Sequence, residues 1–199
     1  DLRTGAMSGG SGEQALLTAG CAQMARYYDL PGGAAAGISD SKLPDFQAGY
    51  ERGITNVMAG LAGLNLVYEA AGMHASLLGF CLESLILDDD VLGQVNRCVR
   101  GIEVNPETLA LDVMREVCTA GPGHYLGHPQ TLSRMQSDYV YPRTADRWSP
   151  KEWEERGRPD LIERATARKR EILETYCPTH IAPDRDRAVR DRFNILLKR

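Results

Sequence analysis

The sequence predicts an α/β fold of parallel strands over residues 1–101, followed by a mostly helical region over 102–199. Three observations carry this reading. First, a strand–loop–helix unit recurs over 1–28, 33–64 and 66–85, a period of about 30 residues that indicates βαβ units and a parallel sheet. Second, fourteen of the twenty glycines lie in the first 79 positions, whereas the second half is rich in charge. Third, short apolar runs stop after Gly101 and only helical patterns follow. Right-handed crossovers would place the helices on one side of the sheet or wrap them round a barrel.

Each element has a local reason. DLRTGAMSGGSGE (1–13) reads as a strand end followed by a flexible glycine loop. A helix follows over 13–28, with Ser11 as N-cap and Gln14 three residues on. DLPGG breaks it, and GAAAGIS (33–39) has the small apolar residues of a strand buried on both faces. Asp45 can cap a helix running to about Leu64, and LVYEAAG (66–72) is the next strand. The stretch 73–102 reads as two helices divided near the acidic run Asp88–Asp90, where the acids would act as cap and dipole partners. NPETLALDVMREVC (105–118) reads as one amphipathic helix with Pro106 in its first turn. Ser149-Pro150 starts a charged segment that becomes helical at 160–176. The final segment, 183–199, reads as one more helix.

Composition excludes several classes. Hydrophobic residues make up 43% and charged residues 25% of the 199, enough for a packed core and too balanced for wholesale disorder. The net charge of −4 argues against a general nucleic-acid or membrane-surface binder. No apolar run is long enough for a transmembrane helix. The chain opens on DLRTG, which is charged at once and unlike a signal peptide. Five cysteines at 21, 81, 98, 118 and 177 form no CxxC pair, so the expectation is buried, reduced thiols in a cytoplasmic protein.

Generic motifs are incomplete. GGSGE lacks the end of a nucleophile elbow and of a phosphate-binding P-loop. A different α/β enzyme with a glycine-rich anion site would need such a signature. His124 and His128 have metal-chelating spacing, but Gly and Pro flank them, so the expectation is a structural or substrate-contacting loop and no metal site. Position is more informative, because functional side chains in parallel α/β folds project from the carboxyl ends of strands. Those ends offer Arg3 with Asp1 and Thr4, then Asp40 with Ser39 and Lys42, then Glu69 with Met73 and His74. Structural ion pairs such as Asp40 with Arg3 are the alternative role for these charges.

The stretches DLRTGAMSGGSGEQALL, AGISDSKLPDFQAGYERG, NLVYEAAGM, LLGF and RGIEVNPETLALDVMREV resemble the C-terminal part of trimethylamine methyltransferase family proteins. GPGHYLGHPQTL and WSPKEWEERGRPDL resemble it too, and the likeness covers residues 1 to about 180. The resemblance implies that the α/β part is the C-terminal portion of a (β/α)8 TIM barrel, with residues 102–199 packing on it. It implies transfer of a methyl group from a methylated amine to the cobalt of a separate corrinoid protein, with no cofactor bound by the chain itself. Some members carry pyrrolysine and act on trimethylamine. None is visible in these 199 residues, which points to the branch acting on quaternary amines such as glycine betaine, or to an unassigned substrate. Such a cation would be held by aromatic faces and carboxylates, here Tyr50, Tyr68 and Phe46 with Glu69 and Asp40. A betaine carboxylate would be met by Arg3, Lys42, His74 or His124.

A full barrel needs about 200–250 residues, and the strand-bearing part here holds three or four units. The expectation is therefore the C-terminal part of a larger methyltransferase, with a non-catalytic barrel fragment or scaffold as the alternative. The expected partners are a cognate corrinoid protein, a small methylated amine and further copies of the chain, since an open half-barrel exposes strand edges.

Overall fold

The computed structural model describes residues 1–178 and 180–196. Its N-terminal part is built around one parallel βαβ unit. Strand β1 (Gly33–Ala35) runs into α2 (Phe46–Ala62), and β2 (Leu66–Tyr68) returns beside it. The pairing is parallel, with Ala34 opposite Val67. Helix α1 (Gly12–Tyr27) precedes the unit and packs against α2. Its cap is local: the Ser11 hydroxyl accepts from the Gln14 N–H at 3.2 Å. Ala15, Thr18 and Ala22 are its buried residues, a small-residue face. Asp45 caps α2 by accepting from the Ala48 N–H at 3.0 Å, and Gly63 ends it in the left-handed conformation.

The segment after β2 departs from the expected third unit. Met73–His74 (β3) and Gly79–Phe80 (β4) form an antiparallel hairpin before any helix begins. Its tip holds Ala75, Ser76 and Leu77 at positive φ, a conformation that none of these residue types advertises. A single helix, α3 (Leu82–Arg100), then replaces the two expected. The acidic run lies in its middle because Asp88 and Asp90 are each satisfied by other segments. Asp88 is buried; it accepts from the Gly72 N–H at 2.7 Å and sits 3.3 Å from Arg52 Nε. Asp90 accepts the N–H groups of Arg143, Thr144 and Ala145 at 2.7–2.8 Å.

The tail is helical and discontinuous. The expected helix at 105–118 is broken by Ala110, which adopts φ 52°. It becomes α4 (Pro106–Leu109), α5 (Leu111–Arg115) and a π-helical turn, Glu116–Ala120. Asn105 and Thr108 form the capping box that starts it. Then come α6 (Pro129–Asp138), α7 (Pro150–Glu155), α8 (Leu161–Thr175) and α9 (Pro183–Arg192). Helix α8 packs on α3, helped by a Lys169–Glu83 ion pair. Residues 197–199 of the expected last helix lie outside the described residues, and no strand is found in 1–11. The cysteines are not buried: Cys21, Cys98, Cys118 and Cys177 are exposed and Cys81 is half-buried. Cys21, for example, falls beside the Ala15–Ala22 face of α1 and not on it.

The most buried ionic contact is Arg52–Asp88, with both side chains 3% exposed. Burial pushes the Asp88 carboxyl up to about 6, against the pull of the Gly72 N–H and Arg52. This value lies above the ordinary carboxylate value of the unfolded chain. Stability tied to Asp88 therefore falls as pH rises from about 4 to about 6 and is level above that. Replacing Arg52 with Met leaves a buried carboxylate without its cation. In urea unfolding at neutral pH this variant should lose about 3–5 kcal/mol. The Asp88-dependent fall should also extend above pH 6.

Candidate functional site

The groups brought together at the carboxyl end of β1 come from four segments. Helix α2 supplies the frame. Its buried face is polar: Glu51, Arg52, Thr55 and Asn56, at helical spacing. These side chains hold the backbone that leaves the strands. Thr55 Oγ1 accepts from the Gly37 N–H at 3.0 Å, and Arg52 Nε donates to the Gly37 carbonyl at 3.3 Å. Arg52 Nη2 donates to the Met73 carbonyl at 2.6 Å, and Asn56 Nδ2 donates to the Ala70 carbonyl at 3.3 Å. Glu51 Oε2 accepts from Ser39 Oγ at 2.7 Å and from the Asp40 N–H at 2.8 Å. Gly37 has φ +77°, and a Cβ there would collide with the Ala70 carbonyl and the Asn56 amide.

Asp40 is the meeting point of the loops. Its carboxylate accepts from the Gly9 N–H at 2.8 Å, the Gly10 N–H at 3.2 Å and Ser8 Oγ at 3.1 Å. Ser76 Oγ, from the hairpin tip, bonds the same carboxylate. The Ser8 hydroxyl and the Gly9 and Gly10 amides of the glycine loop are thus taken up from within the chain. Burial opposes the charge on Asp40, but the bonds from Ser76, Gly10, Gly9 and Ser8 outweigh it. They hold the carboxyl below its ordinary value.

The other expected site residues separate into three groups. Lys42 stays with Asp40: it is exposed and its Nζ donates to the Asp40 carbonyl at 2.7 Å. Tyr68 ends β2 and Glu69 follows it; both are exposed, and Glu69 has φ 64°. The Tyr68 hydroxyl lies over Gly33 of β1.

His74 is corrected from a ligand-facing group to a structural one. It is 3% exposed, with Nδ1 on the Ser41 carbonyl at 3.1 Å and Nε2 on Ser84 Oγ at 2.7 Å. Burial, with Arg52 nearby, holds its pKa below the ordinary value, so the ring is neutral at pH 7. Asp40 is likewise corrected: four donors occupy it, and it braces the loops where a free charge was expected. Nor does it pair with Arg3, which binds Asp1 at 2.6 Å.

Tyr50 lies on the outward side of α2. It packs on Phe46, with centroids 5.7 Å apart, in a cavity of about 550 Å³ that also meets Leu87, Val91 and Ile162. His124 sits on the exposed 121–127 loop of the tail, and His128 caps α6. Among the described residues no group of three or more His, Cys, Asp or Glu could hold a metal ion. Arg52, Glu51, Asp88, Ser8 and Ser76 were not anticipated. The ERGITN string on α2 carried the one available signal, a polar stripe at helical spacing.

A model of the trimethylamine methyltransferase family (MTTB) matches residues 1–195. The chain belongs to this family. It is 34% identical to the glycine betaine methyltransferase of Desulfitobacterium hafniense (strain Y51), over 94% of this chain and 38% of the relative. It is 36% identical to trimethylamine methyltransferase MttB of D. hafniense (strain DSM 10664 / DCB-2), over 85% of this chain and 33% of that protein. It is also 36% identical to MttB of Methanosarcina barkeri, over 92% and 36%. The chain thus spans 33–38% of the length of these curated relatives. The family match runs through all the loops gathered on Asp40.

Replacing Asp40 with Asn keeps its size and removes its charge. Charge-assisted bonds are worth about 1.5–3 kcal/mol each, so urea unfolding at pH 7 should show a loss of that order. Because the folded Asp40 pKa is depressed, this stabilisation is complete above the ordinary carboxylate value. It is lost as pH falls through the lower folded value. The difference between the two proteins should therefore close in strong acid.

Proposed function

We propose that this chain forms strand-end loops of a methyltransferase that moves a methyl group from a methylated amine to the cobalt of a partner corrinoid protein. Family membership over residues 1–195 is the observation that carries this reading. Relatives named for trimethylamine and for glycine betaine support an amine donor. In this reading the βαβ unit is part of a TIM barrel, the amine approaches the carboxyl end of β2, and the protein acts in the cytoplasm. Among the described residues no helix is long and apolar enough to cross a membrane.

The chemistry asks little of the chain beyond alignment. When the C–N bond of a quaternary ammonium breaks, the nitrogen keeps the electron pair and leaves as a neutral amine. The reduced cobalt supplies the pair for the new bond. The protein must hold the cation, exclude water and fix the direction of the methyl. Tyr68 and Glu69 offer an aromatic ring and a carboxylate that no hydrogen bond consumes among the described residues. Lys42, exposed on the loop after β1, is the cation that would meet a betaine carboxylate. Arg52, Glu51 and Asp40 keep these loops in place.

The direct test is a methyl-transfer assay with the reduced corrinoid protein, following cobalt absorbance with trimethylamine and glycine betaine as donors. Glu69→Gln should lower kcat/KM for the active donor at least about tenfold, the scale of a lost charge contact. Its unfolding free energy should stay within about 0.5 kcal/mol of the parent, since the side chain is exposed. An unchanged kcat/KM would remove Glu69 from the site.

The same reading includes self-association. Leu16, Leu17, Tyr27, Tyr28 and Leu30 are more than 60% exposed and cluster on α1 and the turn after it. Light scattering of the chain should give a mass above that of one copy.

A further inference from the structure

A second cavity, of about 1080 Å³, lies between the C-terminal half of α3 and α6. It shares no residue with the Asp40 loops. Its walls carry Arg97, Arg100, Arg134 and Arg147 against two acids, Glu103 and Asp138. Glu107 pairs with Arg134 from outside the lining, so the cleft keeps an excess of one positive charge.

The arginines are held in a particular way. Arg97 Nε donates to the Asp138 carbonyl at 2.7 Å and its Nη1 to the Gly101 carbonyl at 2.7 Å. Arg100 donates to the Ser137 and Asp138 carbonyls at 2.8 and 3.2 Å. Ser137 and Asp138 end α6, where helix carbonyls lack internal partners. Such bonds aim a guanidinium without neutralising it, and each guanidinium has further N–H groups to give. Arg134 is the exception, paired with Glu107 and Asp138. Arg147 makes no ion pair or hydrogen bond among the described residues. Ile102, Met135 and Tyr139 add an exposed apolar wall to the same cleft.

We infer that this cleft binds an organic phosphate monoester with a flat apolar group. The ester's negative charge would be met by Arg97, Arg100 and Arg147, and its oxygens fit the guanidinium fork. A bare phosphate would leave the Ile102, Met135 and Tyr139 wall in water. The volume is of the order of a small-molecule site. This inference stands apart from the amine chemistry and does not depend on it.

Titration calorimetry at fixed ionic strength tests it, with adenosine monophosphate as the probe and adenosine and inorganic phosphate as controls. Saturable binding of the monophosphate is expected, with both controls at least tenfold weaker. Arg147→Ala should weaken it at least tenfold. Arg147→Lys, which keeps the charge and loses the fork, should fall between the two. Arg147 is exposed and makes no ion pair or hydrogen bond among the described residues, so circular dichroism of both variants should match the parent. Absence of saturable binding, adenosine binding as tightly as its monophosphate, or unchanged binding in both variants would overturn the inference.

Discussion

Arg52 is carried by α2, but its guanidinium serves three other segments. It reaches the carbonyl of Gly37 at the end of β1, the carbonyl of Met73 in β3 and the carboxylate of Asp88 in the middle of α3. With the side chain 3% exposed, none of these partners can be exchanged for water. The position of the hairpin, the continuity of α3 and the path of the chain after β1 all depend on this one cation. Glu51, one residue earlier, fixes Ser39 and Asp40 in the same manner. Asp40 then gathers the glycine loop and Ser76.

This arrangement explains why α2 presents polar residues inward while Tyr50, Ile54 and Leu61 stay 45–59% exposed. Strands that end beside one another leave backbone N–H and C=O groups without ladder partners. A helix face of Glu, Arg, Thr and Asn satisfies them, at the cost of an unusual amphipathic pattern. The result is a set of braced loops that leave Tyr68 and Glu69 exposed, with Lys42 exposed and bonded through Nζ to the Asp40 carbonyl. In the proposed function such a lining would serve to align the methyl group, a gain that is lost if the walls move.

Much of the local structure was legible because its causes are local. The caps at Ser11, Asp45, Asn105, Ser149 and Asp160 each rest on a few adjacent residues, and those at Ser11, Asp45 and Ser149 stand where the sequence placed them. What failed depended on distant partners. The acids Asp88–Asp90 resembled a helix boundary, since their satisfaction comes from Arg52, Gly72 and the 143–145 amides. GMHASLLGF hid a hairpin because its turn uses Ala, Ser and Leu at positive φ with no Gly or Asn to mark it. The bonds of Asp40 to Ser76 and of His74 to Ser84 were not legible, because those partners lie 36 and 10 residues away.

Joined through α2, the end of β1, the glycine loop, the hairpin and α3 should open as one cooperative unit. Native-state hydrogen exchange at the Gly9, Gly37, Asp40 and Gly72 amides tests this most directly. Their acceptors are Asp40, Thr55, Glu51 and Asp88 in turn. All four should exchange with one common opening free energy and respond together to denaturant. Fast, denaturant-independent exchange at Gly9 and Gly72, with only Gly37 and Asp40 protected, would contradict it.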